Sequence, residues 1–327
     1  MISKPSTKSG LTLLEQWPVN AALPKDSVMV ASGDGRVLVG DQYQDDCFLL
    51  DLNNRSCTKE AWPQPERIAL QEQTGYLFPE KGIRDLSVSS ADGKTIAAVA
   101  AKGQYASCWQ VGSDDGWVLD GEAHAVAVAP RASSVAVGLG KWVLDSVSPA
   151  QAEVVIWDIP ENEALIRRKL PGACVVQLLW IQDDDGLIYG NFYNATKNSW
   201  LNELIIATTI TRDQRKGFVV LLDPVFLRIL EIADIAEAGK LRPIAAWPQE
   251  SRLWAGGFRD LDESFHDPWL QPSPEWAPRM TAIPHREIWL SEDRLFRLES
   301  DPQGRLFAQL LESLNSSVEE VSEAIAR

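Results

Sequence analysis

One short phrase keeps returning along this chain: an apolar alternation, a turn rich in Asp and Gly, and a second apolar alternation. The clearest copy is LSVSSADGKTIAAV at residues 86–99. Others are VMVASGDGRVLVG from Val28, VAVAPRASSVAVG from Val126, LLWIQDDDGLIYG from Leu178, IAAWPQESRLWAGG from Ile244 and LFRLESDPQGRLFAQ from Leu295. Period-two alternation on both sides of a turn reads as a β-hairpin. Asp bonds the backbone of its own turn and Gly supplies positive φ at little steric cost. Gly33-Asp34-Gly35, Ala91-Asp92-Gly93-Lys94 and Asp183-Asp184-Asp185-Gly186 are therefore turn chemistry. They lack the alternating ligands and distant Glu of a calcium loop.

A third strand follows most hairpins: CFLLDL from Cys47, ASCWQV from Ala106, EVVIWDI from Glu153, FVVLLD from Phe218 and EIWLSE from Glu287. Fourth strands follow at WVLDGE from Trp117, ALIRRKL from Ala164 and RILEIADI from Arg228. Four short antiparallel strands make one blade, and blades bury their two faces by stacking around an axis. The expected fold is an all-β propeller of five to seven four-stranded blades, with six the best reading, formed by residues 1–305. LTLLEQW from Leu11 has no hairpin partner nearby and is expected to close the ring as the outer strand of the last blade. That pairing removes an exposed sheet edge. A rival reading makes LFRLES the fourth strand of the fifth unit, which lowers the blade count. Phe307, Leu311, Leu314, Val318, Val321 and Ile325 recur at steps of four and three, which predicts an amphipathic helix over 306–327, packed on the propeller or used for docking.

The chain carries 46 Asp and Glu against 31 Lys and Arg, a net charge of -15. That balance disfavours nucleic acid and anionic membranes as partners and favours a basic protein. The N-terminal segment has no apolar core of signal-peptide length, and no later stretch has the length of a membrane span. A cytoplasmic protein is the expectation. Cys47, Cys57, Cys108 and Cys174 lie far apart without a C-x-x-C and are expected as free thiols.

Residues 86–99 and 124–159 resemble the WD40-repeat family. LSVSSADGKTIAAV is similar to that family's first two strands. VVIWDI, ending in Trp157-Asp158, resembles its third, and His124 stands where the family often has a Gly-His pair. The resemblance implies a circular propeller used mainly to hold proteins together. Only one unit carries the Trp-Asp signature, and the Gly-His pair itself is absent. His124 reads as a structural hydrogen-bonder.

The sequence has no G-x-S-x-G, P-loop, H-E-x-x-H or paired-cysteine zinc motif. No catalytic residue, metal site or cofactor is expected. Three imidazoles are present, His124, His266 and His285.

Function is expected where the phrase is interrupted. Interruptions fall after Trp62, after Asn191, where Trp200 lies, and after Phe258. The last holds Asp260, Asp262, Glu263 and Asp267 beside Phe265, Trp269 and Trp276, with Pro268, Pro272, Pro274 and Pro278 limiting its unfolded freedom. Aromatics supply desolvated contact, and carboxylates steer and select a basic partner. The residues assigned to partner binding are Asp260, Asp262, Glu263, Phe265, Asp267, Trp269, Trp276 and Trp200. The leading expectation is a non-catalytic protein-binding propeller, with an immunity protein that occludes a basic toxin as one concrete form. A propeller hydrolase with converging carboxylates and a structural subunit of a larger assembly are the alternatives. Oligomeric state is not set by the sequence.

Overall fold

The structure, a computed structural model, describes residues 11–24, 27–32, 34–65, 81–102, 104–113, 115–140, 151–161, 163–182, 203–211, 216–236, 241–247, 252–257, 287–289 and 294–313. These residues form strands and the turns between them. Among them no helix is long and apolar enough to cross a membrane.

The first strand, β1 (Leu11–Pro18), waits for a partner from the far end of the chain. Four consecutive sheets follow, each with its strands in chain order. The first holds β2 (Ser27–Ala31), β3 (Arg36–Asp41), β4 (Cys47–Asp51) and β5 (Ser56–Glu60). The second holds β6 (Ile83–Ala91), β7 (Lys94–Ala101), β8 (Tyr105–Gln110) and β9 (Gly116–Asp120). The third holds β10 (Ala123–Val128), β11 (Ser134–Leu139), β12 (Glu153–Asp158) and β13 (Glu163–Lys169). The fourth holds β14 (Cys174–Gln182), β15 (Glu203–Ile210), β16 (Lys216–Asp223) and β17 (Arg228–Ala236). A fifth sheet pairs β18 (Leu241–Trp247) with β19 (Arg252–Gly257). The sixth runs β20 (Glu287–Trp289), β21 (Arg294–Ser300), β22 (Leu306–Ser313) and then β1.

The first strands pack in succession: β20 beside β2, β2 on β6, β6 on β10, β10 on β14 and β14 on β18. Sheets that radiate from a succession of first strands are the blades of a β-propeller. The sixth blade is closed by the N-terminal strand: Leu13 pairs with Leu311 and Trp17 with Ala308. That pairing covers the β22 edge.

The second strands show why a propeller needs these sequences. In the first three blades the second strand is buried on both faces and sends alternate residues into two different junctions. Ala97 and Val99 of β7 meet Leu38 of the first blade, while Ile96, Ala98 and Ala100 meet Val126, Val135 and Val137 of the third. Val37 and Val39 of β3 join Phe296 and Leu298 of the sixth blade. A strand with two cores reads as an unbroken apolar run, as TIAAVAA does. Small residues set the spacing. A Cβ on Gly40 would stand 2.8 Å from Ile83 Cδ1, and one on Gly138 would stand 2.5 Å from Val175 Cγ1. In both cases a second strand gives way to the first strand of the next blade.

The hairpin phrase is confirmed in β2–β3, β6–β7, β10–β11 and β18–β19. At the β6–β7 turn Asp92 and Gly93 both have positive φ, 51° and 75°, as a two-residue hairpin turn requires.

Four expectations change. LLWIQDDDGLIYG is not one hairpin: β14 pairs with β15, Gln182 opposite Glu203, and the Asp183–Gly186 turn lies outside the described residues. EIWLSE is not a third strand; its first three residues are β20, the first strand of the sixth blade. LFRLES and LFAQ do form a hairpin, but as the second and third strands of that blade. The helix expected over 306–327 is a strand over Leu306–Ser313, because Phe307 and Leu311 belong to β22; residues 314–327 lie outside the described residues.

Candidate partner-binding face

Antiparallel pairing gives each blade two ends. At the leading end the first strands begin and the second strands finish; at the turn end the first hairpins close.

At the leading end, β6 and β10 each carry a bulge at their second residue, Arg84 and His124. Arg84 Nη1 lies 2.7 Å from His124 Nδ1, and His124 Nε2 lies 3.0 Å from the Gly140 carbonyl oxygen. A guanidinium only donates, so Nδ1 accepts and Nε2–H donates to Gly140. This is the neutral Nε2–H tautomer. Burial, and then the adjacent Arg84 charge, hold the imidazole pKa down at about 4 against the pull of the Gly140 carbonyl. Both ring nitrogens are engaged between two blades. His124 is a structural link.

The same end carries other links. Trp62 Nε1 donates to the Asp45 carbonyl at 3.0 Å, and Asp45 Oδ1 accepts the Gly82 amide at 3.0 Å. Trp62 stacks on Tyr105 with ring centroids 5.6 Å apart, and Lys102 Nζ lies 4.7 Å from the Tyr43 ring centroid.

At the turn end a polar cluster joins the first two blades. Asp34 Oδ2 accepts from Ser90 Oγ at 2.9 Å, and its Oδ1 accepts from Ser32 Oγ. Arg36 Nη1 donates to Thr95 Oγ1 at 2.5 Å. Partial burial alone would raise the Asp34 pKa, but the serine hydrogen bonds and the Arg36 charge bring it below the usual carboxylate value. The Arg131–Glu203 ion pair, at 3.4 Å, ties the third blade to the fourth, with Glu203 also accepting from Trp180 Nε1 at 2.8 Å. These carboxylates are spent on holding blades in register. Among the described residues no group of three or more His, Cys, Asp or Glu is arranged to hold a metal ion.

All four cysteines are free. Burial pushes the Cys108 thiol up to about 12 and raises Cys47 and Cys57 as well. Such thiols are protonated and unreactive at neutral pH.

The residues assigned to partner binding from sequence, Asp260, Asp262, Glu263, Phe265, Asp267, Trp269, Trp276 and Trp200, lie outside the described residues, as do His266 and His285. Their flanking strand ends are placed. Residues 258–286 leave from Gly257, which pairs with Leu241 at the start of β18, and return at Glu287, the start of β20. Both anchors are at the leading end. Trp200 lies between Gln182 and Glu203, which pair at the turn end. The two aromatic segments therefore depart from opposite ends of their blades.

Sequence reasoning missed a cleft between the second and third blades. Trp117 and Leu119 of β9 and Trp157 of β12 stand over a floor that includes Cys108, Val126 and Val137. Trp157 drew notice only as half of a Trp-Asp signature. The signal available was that Trp117 opens a fourth-strand run facing the next repeat.

No family model matches the sequence, and no curated protein matches it. Solved structures do match. A Kuenenia stuttgartiensis hydrazine synthase chain aligns with a TM-score of 0.50 at 12% identity, over 88% of this chain and 66% of that one. A Dos1 propeller aligns with a TM-score of 0.46 at 10% identity, over 88% and 67%. The Cps50 (Swd1) β-propeller domain of Myceliophteria thermophila gives 0.44 at 14% identity, over 78% and 72%. This chain thus spans just under two thirds of the length of the hydrazine synthase chain. At these identities the likeness is one of fold.

Proposed function

We propose that this chain is a non-catalytic, protein-binding propeller of degenerate WD40 type that holds a basic protein at its leading end. The observation that carries this reading is the anchoring of residues 258–286. The segment richest in paired acids and tryptophans leaves the fifth sheet at Gly257 and enters the sixth at Glu287, both at one end of the blades. A rigid ring fixes those two anchors, so less entropy is lost when the segment meets a partner. The net charge of -15 steers cationic surfaces toward it. Asp260, Asp262, Glu263 and Asp267 supply the charge, and Phe265, Trp269 and Trp276 the desolvated contact. Trp200, anchored at the other end, supports a separate contact. Four free thiols suit a reducing cytoplasm. An immunity protein that covers a basic toxin is the concrete form of this reading.

The test is affinity capture from the native cell with the wild-type chain and with a variant carrying Asp260→Asn, Asp262→Asn, Glu263→Gln and Asp267→Asn. A basic protein retained by the wild type, released by salt and weakened at least about tenfold in the variant supports the reading. Equal retention by both chains rejects it.

A further inference from the structure

We propose that residues 314–327 turn back from β22 and lie as a short helix along β1, covering Leu13 and Leu14 at the outer edge of the sixth blade. The occupant of this edge is a segment of the chain itself, independent of any partner protein.

Three observations carry the inference. The first is an uncovered edge. β1 is the outermost strand of its sheet. Leu13 is 49% exposed and Leu14 40%. Among the described side chains of the sixth blade, they are the large apolar ones that stand in solvent. Leu14 is the extra residue of a bulge between Leu13 and Glu15, where the strand bends and a side chain is re-aimed. The one charge on β1, Glu15, is engaged by Arg55 at 2.9 Å. The edge therefore carries apolar side chains without a free charge to guard it, and a covering helix is one way such edges are protected.

The second is the sequence of 314–327. Val318, Val321 and Ile325 are spaced by three and four. A strand would set Val318 on the face opposite the other two. A helix turns about 100° per residue and gathers all three within an arc of about 60°. Glu319, Glu320 and Glu323 then fall on the other side, as on a helix with one buried face. Ser316 followed by Glu319 is the S-x-x-E of a capping box, which starts the helix at residue 317. A helix over 317–327 is too short to hold its shape alone in water, so it needs an apolar surface to pack on.

The third is place. Ser313, the last residue of β22, pairs with Leu11, the first residue of β1. Residues 314–316 thus link β22 to a helix that begins at the head of β1. That helix spans about 16 Å, and Leu13 and Leu14 lie about 7–10 Å along the strand from Leu11, so the apolar stripe reaches both. The other exposed large apolar side chains, Leu165 and Phe226 among them, belong to the first, third and fourth blades. Residues 258–286 leave and return at the leading end, whereas Leu11 and Ser313 are at the turn end.

The experiment uses the full chain with a photoreactive phenylalanine analogue in place of Val321. After irradiation at low protein concentration, mass spectrometry locates the cross-links. They are expected within one chain, at residues 11–18, and their yield should fall about tenfold when Leu13→Ser and Leu14→Ser are added. Hydrogen exchange over 306–313 shows whether β1 stays paired in that variant. If β1 is lost, a second variant decides: Val321→Asp with Ile325→Asp leaves β1 and β22 untouched, and should speed exchange over 317–327 at least about tenfold while 306–313 keeps its protection. Cross-links to residues 258–286, to another blade or between two chains would overturn the inference. So would no cross-link, a yield unchanged by the two serines, or fast exchange over 317–327 in the wild type.

Discussion

Asp85 Oδ2 accepts the backbone amide of Val126 at 3.0 Å, across the junction between the second and third blades. The bond is one of three. Ser87 Oγ accepts the Val128 amide at 2.9 Å, and Ser89 Oγ donates to the Pro130 carbonyl at 3.0 Å. Asp85, Ser87 and Ser89 are alternate residues on one face of β6, so the first two meet the adjacent β10 and the third meets the turn that follows it. A first strand has no sheet partner on its inner side, and its amides there need acceptors. β6 supplies them from its side chains. Asp85→Ala should leave the Val126 amide buried without this acceptor and cost about 1–3 kcal/mol, whereas Asp85→Asn keeps an oxygen in place and should cost less. Chemical denaturation gives the stability, and hydrogen exchange at Val126 reports the bond. Unchanged exchange in Asp85→Ala would show that the bond does not protect this amide.

Gly138 is a second test of how blades meet. A side chain there must displace Val175 Cγ1, which would stand 2.5 Å from the new Cβ. Val175 belongs to the fourth blade and is fully buried. Gly138→Val should therefore lower stability by about 1–3 kcal/mol through overpacking. Gly93, with nothing within 4 Å of a Cβ, has φ +75° and no neighbour to displace. Gly93→Ala should cost only the strain of a left-handed backbone, about 1 kcal/mol. A larger loss at Gly93 than at Gly138, measured by thermal unfolding, would reverse this account.

The hairpin phrase made most blades legible because inner strands have strict chemical requirements. They are apolar on alternate or both faces, turn on Asp and Gly in the first two blades, and leave room at the next junction, as Gly40 and Gly138 do. Period alone misled where two structures share it. Phe307 and Leu311 are four apart, which fits a helix face, but four is also even and places both on one face of β22. In the fourth blade the Asp183–Gly186 signal drew the hairpin short, and β15, with Ile205, Ile206 and Ala207 all fully buried, stood concealed beyond it. β20 is three residues long, too short to reveal that it starts a blade. The junction bonds were not legible, because Asp85 finds Val126 only when two blades meet. The cleft between Trp117 and Trp157 was hidden for the same reason.

Two buried threonines should respond in opposite directions to the same substitution. Thr208 is 0% exposed, and its Oγ1 has no hydrogen-bond partner among the described residues. Thr95 is nearly as buried, but its Oγ1 accepts from Arg36 and lies 2.9 Å from Ser90 Oγ. Thr208→Val exchanges an unpaired hydroxyl for a methyl of similar shape and should be neutral or stabilising by about 1 kcal/mol. Thr95→Val breaks the turn-end cluster and should cost about 1–2 kcal/mol. Urea midpoints of the two variants decide the matter; a clear loss in Thr208→Val would mean that its hydroxyl is paired.

His124 should make the fold acid-sensitive in a defined window. Its pKa is about 4 in the folded chain, below the ordinary 6.5. Between those values the unfolded chain binds the proton and the folded chain does not, so stability rises with pH across this interval and falls as the medium is acidified through it. The full difference corresponds to about 3 kcal/mol, at 1.36 kcal/mol for each unit. Acid must place a charge on a buried ring beside Arg84 and remove the acceptor at Nδ1. His124→Gln, which keeps a side-chain donor and acceptor but does not titrate, should flatten the dependence of the urea midpoint on pH between about 4 and 6.5. If the wild type and His124→Gln lose stability in parallel over that interval, protonation of His124 is not what destabilises the ring.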